Sequence, residues 1–541
     1  MKDMKETIQE ALKEVVQTLT SGDEVSFEVT LPKDDSHGDY MSSVALSLAG
    51  RLKRSPLDIA HALQEQLSKD DRLKCCAIEV APPGYINISL TPEALSGVVA
   101  EIGEKKNNYG SGVYGNQRKT LLEFISANPT GPLHIGNARG GFFGDTLSRI
   151  LKKCGGNVST EYYVNDAGEQ VAKLGHSVLK DAEAVYGGEY IDRLNERLAA
   201  QQDSVDTADP RAVGEWAGRI VLEEYIQKTV SERMGISFDT FVSEKKDIVE
   251  AGYIDRAIEV LKEKGLTYEE AGALWLRTTT YGDDKDRVVV KANGERTYFA
   301  SDCGYLLHKK ERGFERIVEV WGADHHGYVA RFRAAAEALG FSRDHVVFTL
   351  VQLVRLVKNG QEVRMSKRAG NVVTVDELLD RIDPEVVRFF FLMYSPDTHM
   401  NFDMGLAEER SQKNPVFYVQ YAHARMASIF RKAEELVGIH SFEKITRDKI
   451  RLHAPKELLL ARHLAKFPEL LRAAAETSTV HQLPQYAIRL ADLFHSFYDA
   501  CVVLDVENMP VTRSRLALVG ATKNVLAETL RLLGISAPEK M

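Results

Sequence analysis

Apolar and polar positions follow three different patterns along the chain, and each pattern predicts a different kind of domain. Residues 1–105 mix helical periodicity with strand-like alternation on either side of the turn Pro82-Pro83-Gly84, which predicts an α+β domain. In residues 116–400, short apolar runs are each followed by a turn and a helical stripe, which is typical of a parallel α/β sheet. Residues 401–541 are helical almost throughout, which predicts an all-α bundle.

The stretch 121–139 organises the central domain. Its first five residues form an apolar run rich in strand formers, and residues 126–132 contain two prolines and a glycine, which predicts a loop. A helical stripe begins at His134. A strand, a loop and a helix in this order open a Rossmann-type sheet with a polar site at the carboxyl end of the first strand. The α/β rhythm is lost over about 182–294, which indicates an insertion into that sheet.

The start of this helix suits a polyphosphate. The first amides of a helix are unpaired and carry partial positive charge. His134 and Asn137 can donate hydrogen bonds to phosphate oxygens, and Gly136 leaves room for a nucleotide against the backbone. The alternative is an ordinary helix-capping region.

A second site is predicted around Tyr298 and Asp302. The run 288–291, the turn Asn293-Gly294 and the run 296–300 predict a hairpin that delivers both side chains. A carboxylate can pair with a guanidinium through two hydrogen bonds, and a phenol can add a third. Alternatively, Tyr298 anchors the hairpin and Asp302 caps a helix that begins near residue 303.

A further strand over 317–321 and the turn Gly322-Ala-Asp-His-His-Gly327 complete a doubly wound nucleotide fold. In this turn Asp324 is a candidate for binding a nucleotide ribose. The adjacent His325 and His326 do not predict a metal site, because sequence neighbours point apart and no third ligand is evident.

Two strings carry a resemblance to a known family. The string 134–137, His-Ile-Gly-Asn, resembles the first signature of class I aminoacyl-tRNA synthetases, and 364–367, Arg-Met-Ser-Lys, resembles the second. The longer string Ser-Ala-Asn-Pro-Thr-Gly-Pro-Leu-His, ending at His134, resembles the arginyl-tRNA synthetases in particular. Asn137 and Arg364 each stand where the signature has another residue, His and Lys respectively.

The resemblance implies a role for each candidate residue. It implies charge stabilisation by His134, Asn137 and Lys367, and arginine binding by Glu123, Asn128, Tyr298 and Asp302. It implies that ATP, with Mg²⁺ as co-substrate, is bound by residues of the first signature, of the turn 322–327 and of the second signature: His134, Gly136, Asn137, Gly322, Asp324, Met365, Ser366 and Lys367. For Glu123 the alternative is a strand-end residue facing solvent.

The same resemblance implies tRNA contacts at both ends of the chain. Tyr85 and Asn87 would read the outer corner of tRNA(Arg), since exposed bases are recognised by aromatic and amide side chains. Tyr418, Tyr421, Arg425 and the terminal Met541 would lie near the anticodon. The competing interpretation places Tyr418, Tyr421 and Arg425 in helix packing, because they share one helical face.

The amino-acid composition restricts the possible partners and cofactors but does not identify the function. The net charge of −9 does not favour non-specific nucleic-acid binding, so tRNA as a partner depends on the motifs. The five cysteines have no metal-ligand spacing, and we expect reduced thiols, no tightly bound metal or organic cofactor, and a monomer in the cytoplasm without a membrane segment. Two alternatives stay open: another class I synthetase such as the cysteinyl enzyme, or a synthetase-like RNA-binding protein without catalysis.

Overall fold

The computed structural model describes residues 4–32, 34, 37–115, 118–200, 205–363, 373–442 and 445–541. Its N-terminal part is an antiparallel four-stranded sheet, in the order β1-β2-β4-β3, packed against three helices around one apolar core. The elements are α1 (Met4–Leu19), β1 (Val29–Thr30), β2 (Tyr40–Ser42), α2 (Val44–Leu52), α3 (Pro56–Leu67), β3 (Cys76–Ala81) and β4 (Tyr85–Leu90). This arrangement confirms the predicted α+β fold.

The next helix, α4 (Pro92–Lys105), packs against the C-terminal bundle rather than against this sheet. Thr91 caps it by accepting a hydrogen bond from the Ala94 amide, and Pro92 occupies the first turn. Its buried residues Leu95 and Val99 belong to the large core that the catalytic region and the bundle share. The core of the N-terminal sheet therefore ends near Leu90.

The central part is built on a parallel five-stranded sheet, in the order β12-β11-β5-β6-β7. It confirms the predicted Rossmann-type core, with β5 and β11 as neighbours. Its strands and flanking elements are, in chain order, β5 (Thr120–Phe124), α5 (Ile135–Lys153), β6 (Val158–Val164), α6 (Glu169–Leu179), α7 (Glu189–Ala199), α8 (Pro210–Ile220), β7 (Thr240–Ser243), α9 (Tyr253–Glu263), β8 (Thr267–Glu270), β9 (Ala273–Leu276), β10 (Arg287–Val290), α10 (Tyr298–Glu311), β11 (Arg316–Gly322), α11 (Val329–Ala338) and β12 (Val346–Val351).

The region predicted as an insertion contributes to the main sheet as well as to a separate one. Strand β7 pairs in parallel with β6 at the sheet edge, whereas β8, β9 and β10 form their own antiparallel sheet. Helices α6 and α8 cross at two glycines: a Cβ added to Gly175 would lie 1.7 Å from the Pro210 oxygen, and one added to Gly214 would lie 1.9 Å from the Val171 oxygen. No larger residue fits either position.

The predicted second hairpin strand over 296–300 is wrong. Only a single bridge joins Val290 and Arg296, and helix α10 begins at Tyr298. The Thr297 hydroxyl caps this helix by accepting a hydrogen bond from the Ala300 amide at 3.3 Å. Asp302 therefore lies within the helix, so the alternative that it caps a helix near residue 303 is also wrong.

A small mixed sheet and the all-α bundle complete the chain, and the bundle confirms its predicted class. The connecting elements are β13 (Val354–Lys358), β14 (Gln361–Glu362), α12 (Val375–Leu379), α13 (Pro384–Leu392), β15 (Met400–Asp403) and α14 (Met404–Glu408). The bundle consists of α15 (Pro415–Val437), α16 (Pro455–Ala465), α17 (Phe467–Thr477), α18 (Gln482–Ala500) and α19 (Met509–Leu533). Across the described residues, no helix combines the length and apolarity that crossing a bilayer requires.

Candidate active site

The loop after β5 and the start of α5 form one wall of the candidate site. His134 immediately precedes α5, and its backbone amide donates a 3.0 Å hydrogen bond to the Asn137 side-chain oxygen. The His134 ring lies over Gly136, where an added Cβ would come within 3.1 Å of it. Asn137 thus fixes the backbone at the helix entry, and Gly136 makes room for the imidazole.

The turn after β11 lies beside this helix start because β5 and β11 are adjacent parallel strands. It forms a short 3₁₀ segment, Ala323–Tyr328, with Asp324, His325 and His326 exposed. Partial removal from water lowers the pKa of His134, while the nearby Asp324 carboxylate raises it. The adjacency of β5 and β11 thus places His134 and Asp324 at the same carboxyl edge of the sheet, close enough for the charge of one to act on the other.

The chain that follows the second signature borders the same place. Arg364, Met365, Ser366 and Lys367 lie outside the described residues, so their predicted roles stay predictions. The chain that follows them is described: the Val373 oxygen accepts a hydrogen bond from the Ile135 amide at 3.2 Å, and the Val375 amide donates to the Leu133 oxygen at 2.8 Å. The end of this segment therefore lies directly against the entry of α5.

An acidic pocket lies between α10, β7 and the end of β6. Asp302 accepts a short hydrogen bond from the Tyr328 hydroxyl, and burial raises the pKa of Asp302 to about 7. Burial and the charges of Asp302 and Asp166 raise the pKa of Glu244 to about 7 as well. Carboxylates whose charges act on one another favour a positively charged ligand, so Asp302, Glu244 and Asp166 make this pocket attractive to a cation.

Tyr298 lies one turn before Asp302 on α10, and its side chain is 64% exposed. Asn128 is exposed on the loop after β5. Both predicted arginine contacts therefore have side chains accessible from the crevice, one from the helix and one from the loop. No ligand tests them, and they stay predictions.

Sequence reasoning missed Glu244, which begins the π-helical segment Glu244–Glu250 directly after β7. Ser243 holds this start by accepting a hydrogen bond from the Lys246 amide at 3.0 Å. The signal was a polar residue at the carboxyl end of a parallel strand, but β7 lay inside the presumed insertion and was not recognised as part of the main sheet. The neighbouring Asp166 accepts hydrogen bonds from the Ser243 hydroxyl and from the Lys245 amide.

Glu123 is placed differently from either expectation. Its side chain is buried, with 6% of the residue exposed, so the solvent-facing alternative is wrong. One carboxylate oxygen accepts from the Ser126 hydroxyl at 2.9 Å. The other lies 2.7 Å from both the Tyr305 hydroxyl and the Lys309 ammonium. These three partners occupy most of its hydrogen-bonding capacity.

The predicted tRNA contacts fall on separate surfaces. Tyr85 and Asn87 lie on the face of β4 opposite the buried Ile86 and Ile88. They share one strand face at alternate positions, and both residues are half-buried there.

In the bundle, α15 turns its predicted tRNA face toward α18. The Tyr418 hydroxyl donates to Asp492 at 2.7 Å, and the Arg425 guanidinium lies 4.3 Å from the centre of the Tyr498 ring. Tyr421 stacks on His495 with ring centres 5.9 Å apart. All three predicted residues are half-buried, so packing accounts for part of each side chain and leaves part accessible.

The tail after α19 runs alongside α15 and ends at Met541, which is 63% exposed. The tail passes Gln420 at Ser536, His423 at Pro538 and Arg431 at Glu539. It therefore runs toward the C-terminal end of α15 along a different face from Tyr418 and Tyr421. No cluster of three or more His, Cys, Asp or Glu suited to a metal ion occurs among the described residues.

The parallel sheet carries the start of α5 and the turn after β11 at its carboxyl edge. It is joined to two flanking domains. A family model described as "tRNA synthetases class I (R), catalytic domain" matches residues 205–385, so the fold and site define a class I aminoacyl-tRNA synthetase. Models described as "Arginyl tRNA synthetase N terminal domain" and "DALR anticodon binding domain" match 2–90 and 419–541. The chain belongs to the arginyl-tRNA synthetase family.

Its relatives support this membership over the whole length. An arginine–tRNA ligase of Geobacillus kaustophilus is 40% identical over 99% of this chain and 98% of its own. One of Bacillus subtilis is 40% identical over 99% of both chains. The fold is similar to that of Thermus thermophilus arginyl-tRNA synthetase, with a TM-score of 0.76 and 24% identity over 99% of this chain and 100% of that one. Assignment to the cysteinyl enzyme or to a non-catalytic RNA-binding protein is therefore wrong.

Proposed function

We propose that this arginine–tRNA ligase activates L-arginine in the acidic pocket between α10 and β7. The observation that carries the proposal is the pair Asp302 and Glu244, a half-buried and a buried carboxylate whose pKa values are each raised to about 7. A carboxylate pair this poorly compensated gains most from a permanent cation, and a guanidinium remains charged at every physiological pH. Lysine would place a point charge where a planar fork can pair with both carboxylates.

The remaining arginine contacts follow from position. Tyr298 supplements the guanidinium contacts from the first turn of α10, and Asn128 meets the amino-acid end from the loop after β5. We do not assign Glu123 a direct contact with arginine, because its two oxygens already have three partners within the protein.

ATP binds across the entry of α5 and the turn after β11. Gly136 and Gly322 allow close approach of the nucleotide, Asp324 binds the ribose, and Met365, Ser366 and Lys367 bind the phosphates, with Mg²⁺ as co-substrate. The arginine carboxylate attacks the α-phosphate, which gives arginyl-adenylate and pyrophosphate. His134, Asn137 and Lys367 stabilise the charge that develops on the phosphates, and no side-chain nucleophile is required.

In the second step a ribose hydroxyl of the terminal adenosine of tRNA(Arg) accepts the arginyl group, and AMP is released. Tyr85 and Asn87 contact the outer corner of the tRNA, and Tyr418, Tyr421, Arg425 and Met541 contact its anticodon end. We further propose that the enzyme works as a monomer in the cytoplasm, that its three functional units are 1–105, 116–400 and 401–541, and that activation requires bound tRNA.

The test is exchange of labelled pyrophosphate into ATP with arginine, measured with and without tRNA(Arg). We expect exchange only when tRNA is present. Exchange with arginine alone would retain the ligase and overturn the tRNA requirement. Absence of exchange in both conditions, with folded protein and chargeable tRNA, would contradict the proposed pocket.

A further inference from the structure

The chain makes a strained turn between β5 and Asn128. The φ angle of Ile125 is +69° and that of Ser126 is +41°. The Ser126 amide donates to the Phe124 oxygen at 3.0 Å, which closes a three-residue turn around Ile125. A β-branched residue rarely adopts positive φ, and a backbone of this kind persists only where its surroundings hold it.

The Ser126 hydroxyl is the point at which the turn is held. It donates to Glu123 at 2.9 Å and accepts a hydrogen bond from the Tyr163 amide on β6 at 3.0 Å. These two bonds tie the turn to the strand before it and to the neighbouring strand. The position of the following Asn128 therefore depends on where the Glu123 carboxylate is fixed.

Side chains of α10 hold the Glu123 carboxylate in place. The Lys309 ammonium, which is fully buried, lies 2.7 Å from Glu123 and 2.6 Å from Glu319. The Tyr305 hydroxyl lies 2.7 Å from Glu123 and 2.7 Å from Glu161, and Arg312 pairs with Glu161 at 2.6 Å. We call Glu123, Ser126, Tyr305 and Lys309 the Glu123 cluster.

The Glu123 cluster contributes little net stability to the core. The desolvation cost of its buried charges is offset only in part by their mutual attraction, and apolar residues of similar size often stabilise a fold as well or better. Its placement suggests another use, because Asp302, Tyr305 and Lys309 follow one another on one face of α10 at spacings of three and four residues. The helix that presents Asp302 to the pocket thus also anchors the opposite wall.

We infer that Tyr305 and Lys309 are positioning residues for amino-acid activation: through Glu123 and Ser126 they hold the turn that sets Asn128 relative to Asp302. This inference rests on the proposed arginine pocket. Neither residue contacts substrate, and each acts by fixing the distance between the loop and the helix that bind the two ends of arginine. A 1 Å error in such a distance is enough to weaken a reaction severely.

The test uses Tyr305→Phe, which removes one hydroxyl without unbalancing the buried charges. Tyr109→Phe is the matched control, because Tyr109 is equally buried and its hydroxyl donates to the Leu464 oxygen of the bundle at 3.3 Å. In tRNA-supported pyrophosphate exchange, we expect Tyr305→Phe to raise the KM for arginine about ten-fold and to leave the KM for ATP within about two-fold. Tyr109→Phe should change neither constant.

A double-mutant cycle then separates positioning from general structure. In a Glu123→Gln background, Tyr305→Phe should have little further effect on the arginine KM, because both changes break the same connection. Hydrogen exchange over residues 121–130 should be faster in Tyr305→Phe than in Tyr109→Phe. The inference is overturned if Tyr305→Phe leaves the arginine KM unchanged, or if the two effects multiply. Absence of arginine-dependent exchange in the wild type would instead refute the proposed function itself.

Discussion

The two halves of the candidate site are built in opposite ways. The arginine half is built on buried carboxylates, with Glu244 in the pocket and Glu123 holding the loop that carries Asn128, each 6% exposed, whereas Tyr298 and Asn128 are themselves exposed. The nucleotide half presents exposed groups, and the Asp324 and His325 side chains are 79% and 60% exposed with 3.5 Å between their nearest charged atoms. The small cation meets a site whose charges are already in place, whereas the nucleotide meets groups that water still surrounds.

This contrast has an energetic meaning. A buried charge changes binding strongly because little solvent screens it, while an exposed charge contributes little by itself. Substitutions in the arginine half should therefore alter the arginine KM by large factors. Those in the nucleotide half should act through the transition state or have small effects.

The largest effect is expected for Asp302→Asn. This change removes the carboxylate that pairs with the guanidinium and should lower kcat/KM for arginine about 10³-fold, mainly through KM. The KM for ATP should change little. Steady-state pyrophosphate exchange at varied arginine measures it, with Asp192→Asn, an exposed partner of Lys180, as the control. An equal rise in both KM values would contradict the separation of the halves.

Lys367→Met should have the next largest effect, through kcat instead of KM. A cation that neutralises the departing pyrophosphate acts mostly in the transition state, so we expect kcat to fall about 10²-fold or more. Lys367→Arg should recover part of the rate because the charge is kept. Single-turnover formation of arginyl-adenylate measures the chemical step directly. If the arginine KM alone changed, Lys367 would belong to the other half.

The pH dependence of arginine binding sharpens the comparison. Asp302 and Glu244 have pKa values near 7, and each must lose its proton to pair with a guanidinium that remains charged. The arginine KM should therefore fall about ten-fold for each carboxylate that titrates between pH 6 and pH 8, and become constant above that range. A KM that rises with pH would contradict the assignment.

Glu244→Gln should raise the arginine KM at pH 8 about ten-fold and flatten this pH profile, because one titrating group is gone. Glu250→Gln, at the other end of the same π-helical segment, provides the comparison. Titration of the arginine KM over pH 6–8 in both variants distinguishes the two positions. An unchanged profile in Glu244→Gln would remove Glu244 from the pocket.

The smallest effect is expected for His325→Gln. Its ring is exposed and its pairing with Asp324 is long, so the KM for ATP should change less than about five-fold. Initial rates at varied ATP are sufficient to measure it. A loss of a hundred-fold or more would mean that the nucleotide half is organised more tightly than its exposure indicates.

Much of the architecture followed from local pattern. The apolar run before Ser126 is strand β5, and the stripe from His134 is helix α5. The turn predicted at Pro82-Pro83-Gly84 joins β3 to β4. Each of these elements is specified by residues close in sequence, through periodicity, capping or a turn, so a single sequence is enough to predict it.

What the sequence did not predict depends on distant partners. Thr297 was counted within a strand, although its hydroxyl caps a helix. Glu244 was hidden because the short strand before it is recognisable only once β6 is beside it. The burial of Glu123 requires Lys309, which lies 186 positions later in the chain. No local sequence pattern distinguishes a carboxylate that binds a ligand from one that pairs with a lysine of the same protein.

The phase of α10 has a consequence for how this chain can vary over evolutionary time. A helix rotates by about 100° with each residue, so removal of one residue between Asp302 and Lys309 would turn the lysine away from Glu123 and Glu319 while Asp302 still faced the pocket. Substitutions along the helix can be compensated one at a time, but a change of length cannot. The number of residues between Asp302 and Lys309 should therefore stay constant in related chains. Within those turns α10 should vary by substitution of side chains and never by insertion or deletion.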